Sequence, residues 1–188
     1  MMIDFELTSS EPYSLRFREA GIHSFKAACD FIARLPYGRN ANREDFSLVF
    51  SEGKGTCSSK HALLASLALE NAHPEVELIA GIFLMNGETH PQLADFFQDK
   101  PYPNIPECHC YLRVKGERFD FTDTSNALER IAPKLVREQR IDPHQVSDWK
   151  IVIHKDYLQR WLNRNPAFGM SLEEIWKDRE EIIGWLAQ

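Results

Sequence analysis

The chain has 188 residues, of which 43% are hydrophobic and 27% are charged, and its formal net charge is -6 at pH 7. This length and composition are typical of one globular domain, and the negative charge argues against nucleic acid as a partner, because phosphates require a basic surface. No apolar run approaches the roughly 18 residues that a membrane span needs, and residues 1–6 lack the segments of a signal peptide. We therefore predict a cytoplasmic protein that binds neither nucleic acid nor membranes.

Two kinds of element are predicted before residue 40. The apolar residues of the stretch 1–20 alternate loosely with polar ones, which predicts one or two edge strands. Ser24 is a suitable N-cap for a helix through Leu35, because the apolar side chains that follow it recur at helical spacing. Pro36 and Gly38 then end this helix.

A thiol stands at the predicted start of the next helix. Gly53 and Gly55 break a polar segment that leads directly into an apolar stretch, which predicts a loop and then a helix from Cys57 to about Ala72. Unpaired backbone N–H groups and the positive end of the helix dipole gather in the first turn, and both favour a thiolate. Cys57 is therefore a candidate nucleophile.

A candidate base follows on a strand. Residues 76–85 are apolar over the length of a buried strand, and residues 86–106 form a long, proline-rich connection. Residues 108–123 predict a hairpin that turns near residues 115–117. His109 lies on the first strand of this hairpin and is the candidate general base for the thiol.

Two aspartates of the return strand compete for the role of the carboxylate that orients His109. Side chains alternate along a strand, so Asp120 and Asp123 point to opposite faces. A two-residue turn at Lys115-Gly116 places Asp120 on the face of His109, whereas a register shifted by one residue places Asp123 there. Lys-Gly is a poor signal for the two-residue turn, so the turn residues leave both alternatives open.

Helices dominate the predicted carboxy-terminal part. Thr124 or Ser125 can cap a helix through Leu135, and the apolar run at residues 151–153 predicts a short strand. A capping box that begins at Ser171 precedes a last amphipathic helix. The apolar faces of these helices can pack inward or form a dimer contact, so the oligomeric state stays open.

The order of these motifs resembles the transglutaminase-like branch of the papain-like cysteine enzymes over about residues 22–125. Gly55-Thr56-Cys57 and the helix after it are similar to the family's Gly-x-Cys segment. His109-Cys110-Tyr111 resembles the family's His-x-aromatic pattern, and Phe119 with Asp123 resembles the aromatic-x-x-x-Asp that closes its hairpin. The family usually has tryptophan where Phe119 stands and proline directly after the aspartate.

The resemblance implies an α+β fold in which an antiparallel β-sheet packs against a central nucleophile-bearing helix, with additional C-terminal helices. We expect a single transglutaminase-like domain over residues 1–188, with its core at about 22–125 and a C-terminal helical extension at about 126–188. On the family pattern, the catalytic residues are Cys57, His109 and Asp123.

The function that this triad implies is thiol-dependent acyl transfer to water or to an amine. Cys57 would attack a peptide or protein amide and form a thioester, so the chain would be a cysteine peptidase or amidase, or a transglutaminase-like acyltransferase. The backbone N–H of Cys57 and one side chain before it would stabilise the oxyanion. Tyr37 and Asn42 are the candidates for that side chain.

No cofactor or metal is predicted. His61 lies one turn after Cys57, and Cys108 or Cys110 could complete a ligand set, but their spacing does not suit zinc. The alternative function is a catalytically silent peptide- or protein-binding module on the same fold, with residues 126–188 covering the groove.

Overall fold

Helices surround a four-stranded antiparallel sheet, which the computed structural model describes over residues 3–125 and 127–186. The helices are α1 (Pro12–Glu19), α2 (Phe25–Arg34), α3 (Leu48–Ser51), α4 (Cys57–Glu70), α5 (Ala94–Gln98), α6 (Leu128–Ile131), α7 (Asp148–Arg164) and α8 (Leu172–Leu186). The strands are β1 (Glu77–Met85), β2 (Ile105–Val114), β3 (Glu117–Phe119) and β4 (Leu135–Ile141). Short 3-10 helices span Pro91–Leu93, Ala132–Lys134, Pro143–Val146 and Pro166–Phe168. The mixed α+β class with an antiparallel sheet is therefore confirmed.

The sheet has the strand order β3-β2-β1-β4. β1 and β2 pair along their whole length, from Glu77 opposite Arg113 to Met85 opposite Ile105. β3 pairs only with residues 112–114 of β2. Within the described residues, the edge of β2 opposite β1 is therefore open over residues 105–111.

Helix α4 is buried on almost every side. Its N-cap is Thr56, which exchanges hydrogen bonds with Ser59 in a capping box. Its apolar residues pack in one core with alternate residues of β1 and β2, including Ala80 and Cys110. A helix that is apolar all round belongs in a core, and burial rather than amphipathicity fixes its position. It ends at Glu70, shortly before Ala72, which has a left-handed φ of 62°.

Several predicted elements match the structure closely. Ser24 caps α2 and accepts a hydrogen bond from the Ala27 N–H. The apolar run at 76–85 corresponds to β1. Ser171 forms the predicted capping-box hydrogen bonds with Glu174 at the start of α8. No described helix has the length and hydrophobicity that crossing a bilayer requires.

Three predicted elements are wrong. The stretch 1–20 contains α1, which begins at Pro12, and the one bridge of its described residues 3–20 joins Glu6 to Ser24. The helix predicted through Leu135 is only the short α6, and Leu135 begins β4 instead. The strand predicted at residues 151–153 lies inside α7. The buried residues of α7 recur every fourth position, so helical packing outweighs the local β propensity: Lys150, His154, Leu158 and Leu162.

The hairpin between β2 and β3 turns through two residues, Lys115 and Gly116. Both have positive φ, 51° and 85°, which is the conformation that a type I′ hairpin turn requires. Val114 pairs with Glu117 across the turn. If this register is continued by one residue beyond Phe119, Asp120 lies opposite Tyr111. Tyr111 and His109 point to the same face of β2, so Asp120 lies on the face of His109.

Gly116→Ala is expected to lower the free energy of unfolding by about 1 kcal/mol, because an alanine at this positive φ is strained. Lys115→Asn is the matched change at the neighbouring position and should leave stability equal or higher, because asparagine tolerates the left-handed region. Urea unfolding of the three proteins measures both effects. Equal midpoints for wild type and Gly116→Ala would contradict the assigned turn.

Candidate active site

Cys57 is the first residue of α4 and is 7% exposed. The capping box at Thr56 and Ser59 fixes this turn, so the thiol is held where the helix dipole is positive. The site therefore begins with a thiol whose backbone surroundings favour a negative charge.

Cys57 meets the sheet at the open edge of β2. Both Cys110 and His109 lie near enough to its thiol to lower its pKa. They are consecutive in β2 and so point to opposite faces of the sheet, and a single group can lie near both only at the edge of the strand. The shortness of β3 leaves that edge accessible to the start of α4.

Asp120 is the carboxylate that contacts His109. Its Oδ2 lies 2.7 Å from Nε2 of His109, and its Oδ1 accepts a hydrogen bond from the Thr122 N–H at 2.9 Å. Asp123 is exposed and accepts a hydrogen bond from the Ser125 N–H. The predicted contact between His109 and Asp123 is therefore wrong, because the two-residue turn places Asp120 on the face of His109.

The protonation of the His109–Asp120 pair follows from its surroundings. Burial opposes charge on both groups, yet the attraction of His109 lowers the pKa of Asp120 far below its ordinary value. Against burial, Asp120 and Cys57 raise the pKa of His109 well above that of an ordinary imidazole. Nε2 of His109 thus carries a proton toward Asp120, and Nδ1 is the nitrogen that remains for Cys57.

His61 holds the first turn of α4 against the segment that carries Asp120. Its Nε2 accepts a hydrogen bond from the Phe121 N–H at 2.7 Å, so its proton must be on Nδ1, which donates to the Cys57 carbonyl at 2.8 Å. Burial lowers the pKa of His61 and keeps the ring neutral. His61 is therefore a structural link between the Cys57 turn and the Asp120 loop.

Lys60 makes a second link between α4 and the Asp120 loop. Its ammonium is fully buried and donates to the carbonyls of Leu35 and Thr122 at 2.5 and 2.6 Å. Burial lowers the pKa of Lys60 to about 8. Together with His61, Lys60 fixes the loop after β3 relative to the nucleophile.

A chain of hydrogen-bond donors ends at the Cys57 sulfur. The Lys150 ammonium donates to Ser58 Oγ at 2.8 Å, and the Ser58 hydroxyl donates to Cys110 Sγ at 3.7 Å. The hydrogen bond from Cys110 is the largest influence on Cys57 and, with the charges of Lys150 and His109, lowers its pKa well below the ordinary thiol value against the effect of burial. The pKa of Cys110 rises in return, so Cys57 is the more acidic of the two thiols.

Lys150 is a site residue that the sequence analysis missed. It is buried on α7, and although burial opposes its charge, attraction to negative charge on the Cys110–Cys57 pair and on the Glu107 carboxylate raises its pKa. Its position in the helix could have identified it, because Lys150 and His154 share a buried helix face with Leu158 and Leu162. A lysine at such a position needs a specific partner.

Cys57 lines a cavity of about 270 Å³ between α4, β2 and the two carboxy-terminal helices. α7 and α8 contribute eight of its eighteen lining residues, so the C-terminal segment takes part in lining it. The lining residues are Tyr37, Arg39, Asn40, Arg43, Thr56, Cys57, Ser58, Ser59, Glu107, Val146, Lys150, Ile151, His154, Lys155, Trp176, Arg179, Glu180 and Ile183.

A buried ion pair fixes α8 to β2 at this cavity. Arg179 donates two hydrogen bonds to Glu107, at 2.8 and 2.6 Å, and a third to Glu180. The Glu107 and Arg179 side chains are 8% and 13% exposed. A bidentate arginine–carboxylate pair is both strong and directional, so this ion pair sets the position of α8.

The two oxyanion candidates differ in position. Tyr37 lines the cavity, where burial and the charge of Cys57 raise its pKa and keep the hydroxyl protonated. Asn42 is exposed, and its side chain accepts a hydrogen bond from the Glu44 N–H. The amide that does line the cavity is Asn40, whose oxygen accepts from Ser59 and whose nitrogen donates to Glu52.

No group of three or more His, Cys, Asp or Glu side chains in the described part of the chain is arranged to hold a metal ion. In the sequence, His61 lies close enough to Cys57 to be considered as a second metal ligand. In the structure, both ring nitrogens of His61 are hydrogen-bonded to the backbone, at Cys57 and at Phe121.

Asp120→Asn is expected to raise the pKa at which Cys57 reacts with iodoacetamide by about one unit or more, because a neutral amide no longer stabilises the His109 imidazolium. Asp123→Asn is the matched control and should leave the profile unchanged. Alkylation rates measured against pH, with the labelled cysteine located by mass spectrometry, give both values. If the alkylation pKa of Cys57 shifted only in Asp123→Asn, Asp123 rather than Asp120 would be the partner of His109.

Glu107→Gln is expected to destabilise the fold by about 3 kcal/mol at pH 7, because it leaves Arg179 buried without its main counter-charge. Although burial opposes it, Arg179 lowers the pKa of Glu107 to about 2 from 4.5. The contribution of the pair is therefore complete above pH 4.5 and is lost as the pH falls toward 2. Urea unfolding against pH tests both points.

The matched control for this change is Asp156→Asn, which removes an exposed pair with Arg160. It should cost less than about 0.5 kcal/mol, because solvent screens that pair. Equal losses for the buried and the exposed pair would contradict the role of Glu107 in holding α8.

Comparison of the chain with protein-family models, with curated proteins and with solved structures finds no match. The resemblance to transglutaminase-like enzymes therefore rests on the order and spacing of the residues in this sequence.

Proposed function

We propose that the chain is a thiol-dependent acyl-transfer enzyme in which Cys57 is the nucleophile, His109 the general acid and base, and Asp120 the carboxylate that orients His109. The observation that carries this proposal is the Cys57–His109–Asp120 series, in which Cys57 lines a cavity and Asp120 lies 2.7 Å from His109. The resemblance of the Cys57 and His109 motifs to transglutaminase-like enzymes supports it, as does the packing of α4 on β1 and β2.

The proposed reaction has two steps that share one intermediate. The Cys57 thiolate attacks the carbonyl carbon, the carbon–sulfur bond forms, and the resulting oxyanion collapses as the leaving amine or alcohol takes a proton from His109. Water or an amine then attacks the thioester and gives its proton to His109, and the Cys57 thiolate leaves. The first outcome is hydrolysis and the second is acyl transfer.

The oxyanion would be stabilised by donors that the helix start already provides. Cys57 is at the first position of α4, where backbone N–H groups have no partner within the helix. The protonated Tyr37 hydroxyl lines the same cavity and supplies a second donor. Donors fixed before the reaction stabilise developing charge without reorganisation.

The substrate that fits this site is a small acyl group or a single side chain of a peptide or protein. A cavity of about 270 Å³ is at or below the lower end of the volumes that bind small molecules, which run from about 300 to 1,000 Å³. The helices α7 and α8 line it opposite Cys57, so an extended polypeptide would present one side chain at a time. The carboxamide of such a side chain is the peptide or protein amide that we propose.

The test is acylation of Cys57 by p-nitrophenyl acetate. Wild-type protein should release a burst of one nitrophenolate per chain and gain the mass of one acetyl group on Cys57. Cys57→Ala should abolish the burst. His109→Ala should slow it by roughly 10²–10⁴-fold, because the thiolate and the proton donor are both lost.

The remaining cysteines provide an internal control in the same experiment. Burial raises the pKa of Cys29, and of Cys108 to about 11, so neither should react. Acetylation of Cys57 no faster than of these thiols would contradict the enzyme proposal. The cavity would then be the site of a catalytically silent binding module.

A further inference from the structure

Positive charge exceeds negative charge in the wall of the Cys57 cavity. Five lining residues are basic, Arg39, Arg43, Lys150, Lys155 and Arg179, and two are acidic, Glu107 and Glu180. The whole chain has the opposite balance, with a formal net charge of -6. The excess of basic groups is therefore a property of this cavity and not of the protein surface in general.

Both acidic residues are already neutralised by two of the basic ones. Arg179 pairs with Glu107 through two hydrogen bonds and also contacts Glu180. Arg39 donates to the other oxygen of Glu180 at 2.7 Å. These four side chains form one compensated network in the wall.

The other three basic side chains form no ion pair with a described residue. Lys150 donates to Ser58, and Lys155 lies over the ring of Trp176, with its Nζ 4.7 Å from the ring centroid. Arg43 is exposed at the mouth of the cavity. Burying Lys150 without a carboxylate in contact is costly unless an anion compensates it.

The proposed triad supplies only one negative charge. Cys57 and His109 together are neutral whichever way the proton lies between sulfur and nitrogen, and Asp120 adds one carboxylate beside His109. The three positive charges of Arg43, Lys150 and Lys155 therefore exceed the charge of the triad by two. A low-dielectric cavity focuses such a field on whatever enters it.

We infer that the acyl substrate of Cys57 is anionic and carries a carboxylate that Arg43, Lys150 and Lys155 attract into the cavity. This inference rests on the proposed function, because it describes the substrate of the same thiol. Trp176, Ile183 and Val146 provide apolar surface for the uncharged part of the molecule.

Two alkylating reagents of nearly equal size test the charge preference directly. Iodoacetate carries a carboxylate, iodoacetamide carries a neutral amide, and each is displaced by the same step, in which the Cys57 thiolate forms a carbon–sulfur bond and iodide leaves. The ratio of their rate constants is the readout, because a change in the thiolate population affects both reagents equally. The wild-type protein should react faster with iodoacetate.

The double variant Arg43→Met with Lys155→Met separates the cavity charges from the charge of His109. Its iodoacetate-to-iodoacetamide ratio should fall by roughly three- to tenfold, as expected for removing two charges at a partly solvated site. High salt should lower the wild-type ratio in the same direction. Lys177→Met, an exposed change on α8 outside the cavity, is the matched control and should keep the wild-type ratio.

The outcomes distinguish this inference from the proposed function. Rapid, selective labelling of Cys57 with a ratio that the double variant does not change would overturn the anionic substrate and leave the enzyme proposal standing. Failure of either reagent to label Cys57 faster than Cys29 or Cys108 would overturn the enzyme proposal and the inference that rests on it.

Discussion

The low pKa of a nearly buried thiol, that of Cys57, is the constraint on which the rest of this structure depends. An ion in a cavity loses the solvation of water and persists only if the protein supplies comparable interactions. Cys57 receives them from the start of α4, from the Cys110 thiol, from Lys150 through the Ser58 hydroxyl, and from His109. These groups belong to elements that are far apart in sequence, so the thiolate is a product of the complete fold.

The carboxy-terminal helices are part of the same electrostatic arrangement. α7 brings the Lys150 ammonium to the start of α4, across a sequence separation of 92 residues from Ser58. α8 brings Arg179, whose pairing with Glu107 fixes the opposite wall. A segment that only covered a groove would present apolar residues to it. Burying charged residues of both helices has a cost in stability, and the reaction centre that we propose would be a physical reason to retain them.

The local parts of the site could be predicted from the sequence, and the parts set by register and by distant contacts could not. A glycine loop before an apolar helix identifies Cys57, and a strand pattern identifies His109, because both are properties of short segments. The choice between Asp120 and Asp123 depends on Lys115 adopting a positive φ, which non-glycine residues seldom do. The family pattern favoured Asp123. This sequence departs from that pattern at Phe119, the aromatic residue that is paired with Asp123 in the motif, where the family usually has tryptophan.

The fold shows the same division between local and long-range information. Helix α2 follows from helical periodicity and its end signals, and strand β1 from the length and apolar content of its run. Strand β4 was missed because four of its seven residues are polar or charged, which suits an edge strand but lacks an apolar pattern. Long-range contacts also set the position of Lys60, which two carbonyls from separate segments hold in the interior. Neither acceptor can be located before the helix and the hairpin are packed together.

The positive cavity has a consequence for how a thioester on Cys57 would be resolved. Hydrolysis releases a new carboxylate, so the product carries one more negative charge than an ester or amide substrate. The field of Arg43, Lys150 and Lys155 retains such a product more strongly than the substrate, and release is then slow. Transfer to an amine forms a neutral amide and adds no charge. For an anionic acyl group, the charge of the wall therefore favours turnover by acyl transfer over turnover by hydrolysis.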